Sequence, residues 1–262
     1  IIDIEEVLDV IDVGTTIPVR CRLENGMNVV VKYMKNPFGE IVLVNEFIGS
    51  CIADLIGINN PEYGVCRLSE AVIENTNDNE EIDKRNAGLA FYTKDYSSSV
   101  PPSRAMLALV ENKETERLIL FDHVVNNCDR HNGNLIIDLS KAAKLYIIDN
   151  SHIIKEGISS NIEWELTDEA IFSKRILEKN KDIYDLLCNT VGYDEEKLLL
   201  EAQKIKEAIT QEILIEIKSS IPEEWIISIG KETLDQIFKV LDKRLKNICK
   251  LSQMIKEERG KR

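Results

Sequence analysis

The sequence predicts an α+β protein: a small β-rich lobe over residues 1–95, then a larger, mainly helical lobe over 96–262. Three observations carry this. The first third alternates β-branched runs with turn residues around one helical stretch. Tyr96-Ser-Ser-Ser-Val-Pro-Pro102 is the sharpest break in composition. Beyond it, apolar residues recur mostly at helical spacing.

Strands are expected over Val7–Val13, Ile17–Leu23 and Asn28–Met34. Asn25-Gly26 joins the last two, and Asn-Gly between β-branched runs is a strong hairpin signal, so an antiparallel meander follows. From Gly39 to Ile56 the period turns helical, with Ile41, Val44, Ile48, Cys51, Ile52 and Leu55 on one face and Gly57 as the stop. Residues 63–74 and 87–93 read as two further strands, separated by a polar loop. In the second lobe a helix over Glu114–Asn126 leads into two short apolar runs, Asn134–Asp138 and Lys144–Asp149, which form a hairpin. Helices fill the rest from Trp164 to Glu258. Trp164 and Trp225 are expected to be core or helix-packing residues rather than substrate contacts, and His123 and His152 to be structural.

The chain has 262 residues, with 33 Lys+Arg against 46 Asp+Glu. The resulting charge of −13 argues against nucleic acid or an anionic membrane as the main partner, since both are held by clustered cations. A bound nucleotide is compatible with it, because one Lys and a divalent metal reverse the field locally. No apolar run reaches the roughly 18 residues of a membrane span, and the first residues lack the layout of a secretory signal. Six scattered cysteines, without a Cys-x-x-Cys pair, and three His offer little for structural zinc and suit reduced thiols. The expected location is cytoplasmic.

The segment richest in chemistry is Asn127-Cys-Asp-Arg-His-Asn-Gly-Asn134, placed between the helix and the hairpin. The hairpin ends in Asp149, so Asp129, Asn134 and Asp149 can meet at one of its ends. Two carboxylates and an amide suit Mg²⁺, which completes its shell with phosphate oxygens and water.

Asp129-x-x-x-x-Asn134, with an acid after a strand pair, resembles the catalytic loop of the protein-kinase-like superfamily. The wording Asp129-Arg130-His131-x-x-Asn134 is closer to the HipA-like kinases and the phosphatidylinositol kinases. Asn36-Pro37-x-Gly39 followed by Val42-Leu-Val-Asn-Glu46 also resembles the short, stand-alone HipA-like kinases. The resemblance implies a bilobal protein-kinase-like fold and an ATP- and Mg²⁺-dependent phosphotransferase acting on a hydroxyl, of a protein Ser or Thr in the first instance. An antitoxin-like regulator is a partner that it suggests. Asp129 would orient the acceptor hydroxyl and take its proton, while Asn134 and Asp149 hold the metal. Lys32 would contact the α and β phosphates, with Glu46 fixing its direction. Gly14-Thr15-Thr16 sits where a glycine-rich phosphate loop belongs, with one Gly in place of three, and Thr15 or Thr16 is a candidate for autophosphorylation. The strand carrying Phe91, Tyr92 and Thr93 would read the adenine edge through its backbone. Arg130 and His131 have two readings each, near the transferred phosphate or structural. The alternative functions are a small-molecule or lipid kinase and a nucleotide-binding pseudokinase or interaction module.

Overall fold

The structure is a computed structural model that describes residues 1–11, 16–76, 82–96, 98–140, 142–154 and 162–261. Its strands are β1 (Ile2–Val10), β2 (Val19–Leu23), β3 (Asn28–Lys32), β4 (Tyr63–Leu68), β5 (Gly88–Lys94), β6 (Leu135–Asp138) and β7 (Lys144–Ile147). The helices up to the second hairpin are α1 (Ile41–Leu55), α2 (Glu70–Glu74), α3 (Arg104–Leu107) and α4 (Thr115–Val124). Beyond the hairpin come α5 (Ile162–Glu165), α6 (Asp168–Ile171), α7 (Arg175–Lys179), α8 (Lys181–Thr190) and α9 (Glu195–Ala208). The chain closes with α10 (Gln211–Ser220), α11 (Glu223–Ile229), α12 (Lys231–Lys246) and α13 (Ile248–Arg259). Among the described residues, no helix is long and apolar enough to cross a membrane, and no disulfide joins any cysteine.

Contacts divide the chain into two units. The first holds residues 1–48, 61–97 and 221–231, and the second residues 49–60, 98–220 and 232–262. Neither is continuous in sequence.

The first unit is a closed barrel of five strands in the order β1-β2-β3-β5-β4. The expected meander is present, and Gly26 at φ +81° makes its β2–β3 turn, with Leu23 N–H bonded to Met27 O at 2.9 Å. Alternation decides which side chains fill the barrel: Val19, Cys21, Leu23, Val29 and Val31 are fully buried, and Arg20 and Arg22 lie between them on the outer face. Burial pushes the Cys21 thiol up to about 12 and the Cys66 thiol up as well. Closure comes from a parallel pairing of Ile2 with Cys66 and Asp3 with Arg67. Two expectations are corrected. β1 begins at Ile2, five residues before the expected Val7. The expected strand over 63–74 ends at Leu68, because Ser69 caps a helix there: its hydroxyl accepts from Val72 N–H at 3.2 Å, and Glu70 occupies the first turn.

In the second unit, α4 is buried nearly all round, including Asp122 and His123. A helix buried on nearly every side serves as a spine that others pack against. The expected hairpin is β6–β7, with Leu135 opposite Ile147 and Asp138 opposite Lys144. Inward residues Leu135, Ile137, Leu145 and Ile147 are buried, so the hairpin lies on the core. Its strands are shorter than the expected runs at both outer ends, which leaves Asn134 at the end of a 3-10 turn over Asn132–Asn134 and Asp149 past the end of β7.

Candidate active site

In the first unit, Lys32 at the end of β3 forms an ion pair and hydrogen bond with Glu46 of α1. Both side chains are largely buried, 10% and 3% exposed. The intervening loop explains how this happens. Asn36 is 5% exposed and donates to the carbonyls of Tyr33 (3.1 Å) and Gly39 (3.0 Å), while its own carbonyl accepts from Phe38 N–H at 2.9 Å. Gly39 takes φ +73°, a conformation that favours glycine. The Asn36-Pro37-x-Gly39 pattern is therefore a tight turn that delivers the chain into α1. Glu40, at the helix entry, has its carboxyl held below the usual value. Burial works against its charge, but the Lys35 amide, the Ser228 hydroxyl and its own amide donate to it.

The second unit carries Asp129, Asn134 and Asp149, linked through backbone. The Asn134 side-chain amide donates to Asp129 O at 2.7 Å, which leaves its carbonyl oxygen as the atom for a ligand. Ile148 N–H donates to Asn134 O at 3.0 Å and so anchors the residue before Asp149. Asp149 itself has φ +56°, a left-handed conformation that a non-glycine residue adopts at a cost of about 1–3 kcal/mol. Ser151 supports the turn by donating its hydroxyl and its N–H to Asp149 Oδ1. Among the described residues no three His, Cys, Asp or Glu side chains converge. Two acids with an amide are all-oxygen donors and fit a hard divalent cation that borrows the rest of its shell from phosphates and water.

Arg130 and His131 are assigned by their surroundings. Arg130 is 1% exposed. Its guanidinium bonds Asp122 from Nε (3.2 Å) and Nη2 (3.0 Å), and Nη1 donates to the carbonyls of Asn134 (3.0 Å) and Ile148 (3.2 Å). One buried side chain thus ties α4, the loop and the far end of the hairpin. His131 is exposed, and its Nδ1 accepts from Gly133 N–H at 3.0 Å, an arrangement that shapes the 132–134 turn.

The sequence reading missed the rest of this scaffold. Asn180, before α8, accepts from Arg130 N–H (3.0 Å) and donates to Asn127 O (2.8 Å) and to the Tyr184 hydroxyl (3.1 Å). Tyr184 and Asn127 both donate to Asp122, at 3.0 and 2.9 Å. Burial pushes the Asp122 carboxyl up, opposed first by Arg130. The signal available in sequence was Asp122 itself, a charge inside an apolar helical run.

Gly14 and Thr15 lie outside the described residues; Thr16 is buried, 3% exposed. Phe91, Tyr92 and Thr93, expected to read the adenine edge, lie in β5. Each pairs with β3, opposite Lys32, Val31 and Val30, and also with β4, opposite Val65, Gly64 and Tyr63.

Comparison with known proteins follows the same lines. The family model described as HipA-like kinase matches residues 4–253. Among solved structures, the proinflammatory kinase CtkA of Helicobacter pylori is similar with a TM-score of 0.56 and 13% identity, over 95% of this chain and 94% of that one. The Golgi casein kinase, solved with Mn/ADP bound, gives a TM-score of 0.55 and 12% identity, over 98% of this chain and 73% of that one. At such identities the likeness shows the fold alone, which is kinase-like. A search of curated sequences finds no match. With the family pattern running through almost all of its length, the chain belongs to the HipA-like kinase family.

Proposed function

We propose that the chain is an ATP-dependent kinase that transfers the γ-phosphate to a hydroxyl of a protein Ser or Thr, with Mg²⁺ as its metal. The observation that carries this is the second-unit set, in which Asn134 is bonded to the Asp129 backbone and Asp149 is held in a strained turn by Ser151. Strain of this kind persists where the surrounding structure enforces it, often at functional sites. The Mn and ADP found in the similar Golgi casein kinase structure support a nucleotide and a divalent cation here.

Asp129 orients the acceptor hydroxyl and accepts its proton. The hydroxyl oxygen forms a bond to the γ-phosphorus as the bond to the β-phosphate oxygen breaks, and ADP leaves. Asn134 and Asp149 hold the metal, which when bound neutralises charge on the phosphates. Lys32, aimed by Glu46, contacts the α and β phosphates. Arg130 keeps the Asn134 and Ile148 carbonyls in place and thereby fixes both metal-holding residues.

The test combines melting and mass. Mg-ATP at about a hundredfold excess over its dissociation constant should stabilise the chain by about 2.7 kcal/mol, or roughly 5–10 °C. Asp129→Asn should retain that shift but transfer phosphate roughly 10²–10⁴-fold more slowly, read by intact mass with a peptide library as acceptor. No melting shift, or an unchanged rate in Asp129→Asn, would overturn the assignment.

A further inference from the structure

The first unit is completed by a segment from late in the chain, residues 221–231. This segment holds α11, which starts after Pro222 and stops at Gly230, where φ is +85°. Trp225 is fully buried, and three sets of contacts lead from it and its neighbours to the Lys32–Glu46 pair.

The first set is at β5. Strand β3 ends at Lys32, opposite Phe91, so Leu89 extends past the ladder on that side. Side chains of α11 supply the missing partners: Trp225 Nε1 donates to Leu89 O at 2.8 Å, and Glu224 Oε1 accepts from Leu89 N–H at 3.3 Å. The approach requires Gly88, which sits at φ +141° and where a Cβ would lie 2.5 Å from Glu224 Oε1.

The second set is aromatic. The Trp225 ring meets Phe47 edge to face, with centroids 6.3 Å apart. Phe47 follows Glu46 in α1 and meets Tyr63 at 6.4 Å, and Tyr63 meets Phe91 at 6.0 Å. Phe91 is the residue opposite Lys32. The chain of rings therefore begins on α11, passes through Phe47, the residue after Glu46, and ends at Phe91, the β5 partner of Lys32. In the third set, the Ser228 hydroxyl donates to the buried Glu40 carboxylate at the entry to α1.

We propose that Trp225 is a positioning residue: through Phe47 and Leu89 it seats α1 and β5 so that Glu46 holds Lys32 in place for the nucleotide phosphates. This rests on the phosphate role given to Lys32 above. A tryptophan that only filled the core would lower stability when replaced, without acting through Lys32.

A double-mutant cycle on Mg·ADP affinity separates the two, measured by titration calorimetry on the full chain below every variant's melting range. Trp225→Phe keeps a ring near Phe47 and removes the bond to Leu89 O, and should weaken binding roughly 3–10-fold, the worth of one hydrogen bond. In a Lys32→Met background, Trp225→Phe should cost no further affinity, because residues acting through one another are not additive. Trp225→Leu should weaken binding more than Trp225→Phe. Ser228→Ala, a milder change, should weaken it in the same direction. Ile227→Ala, on the same helix and 75% exposed, should bind as the parent does. If Trp225→Leu does not fold, Trp225→Phe and Ser228→Ala decide. Parental affinity in both of those, or the same loss from Trp225→Phe with and without Lys32, overturns the proposal. A parent chain that does not bind Mg·ADP overturns the kinase reading itself, and this proposal with it.

Discussion

Replacing Arg130 with Met tests the scaffold beneath the candidate site. The substitution keeps much of the side-chain volume but removes the guanidinium, leaving Asp122, which is fully buried, without its cation. It also removes the Arg130 donor from Ile148 O and from Asn134 O, the latter keeping Ile148 N–H. Breaking a buried pair by removing one partner costs about 3–5 kcal/mol. Asp122 would retain Asn127 and Tyr184 as donors, which moves the expectation to the lower part of that range. For a chain of this size each kcal/mol shifts melting by about 2–4 °C, so a fall of roughly 6–12 °C is expected. The two units need not unfold together, and calorimetry should place the loss in the second.

The pH dependence has a definite sign. Burial raises the folded-state carboxyl of Asp122 above its ordinary value. Such a group contributes stability below the unfolded value and loses it as pH rises through the folded one. Arg130 is the main force opposing that rise, so the deficit of Arg130→Met should be larger at pH 8 than at pH 5. Asp122→Asn combined with Arg130→Met, which removes both charges, should recover at least about 1 kcal/mol relative to the sum of the single changes. Urea titrations followed by circular dichroism at the two pH values measure all of this. A deficit below about 1 kcal/mol at pH 8, or one that grows on acidification, would refute the buried-pair reasoning.

Two further changes probe the same neighbourhood. His123 is fully buried, its Nδ1–H donates to Ile119 O at 2.8 Å, and its pKa is lowered by burial to about 4. The unfolded chain therefore binds more protons between about pH 6.5 and 4, and His123 should draw up to about 3 kcal/mol of stability as pH falls through that window. His123→Phe should flatten the parent's melting-versus-pH curve there; parallel curves would contradict the assignment. Gly49→Ala tests the contact between α1 and the residue after Asp149. A Cβ at Gly49 would lie 2.6 Å from Asn150 Cβ and 2.8 Å from its Cγ, and Asn150 is 1% exposed. Helix propensity alone would make alanine stabilising by about 1 kcal/mol, whereas overpacking costs about 1–3 kcal/mol. A lower melting temperature with reduced phosphoryl transfer is expected, and a higher one would show that the contact is slack.

Much of the site was legible because its signals are local. Asn25-Gly26 specifies a hairpin through the backbone freedom of two residues, and the alternation of Val19, Cys21 and Leu23 with Arg20 and Arg22 assigns the faces of β2. The spacing of Asp129, Asn134 and Asp149 around a strand pair is likewise a property of one short stretch. Helix α2 was misread because Val72 and Ile73 suit a strand as well as a helix, and the Ser69 cap decided between them. Of the buried polar set of Asp122, Arg130, Asn180 and Tyr184, only Asp122 left a local signal; the other three each resemble a surface residue, and only their meeting makes burial tolerable.

By itself the sequence determined the first meander, the helix after it, the second hairpin, the kinase-like spacing of the acids and amide, and the Lys and Glu that accompany them. Tertiary structure decided where backbone groups are spent. It closed the barrel by pairing Ile2 with Cys66 and set β5 between β3 and β4. It buried Arg130 against Asp122 and drew Trp225 from the last quarter of the chain onto Leu89 and Phe47. The reason is physical: turn chemistry and periodicity act over a few residues, whereas a buried charge or an unpaired strand edge is satisfied by whatever partner the fold brings to it.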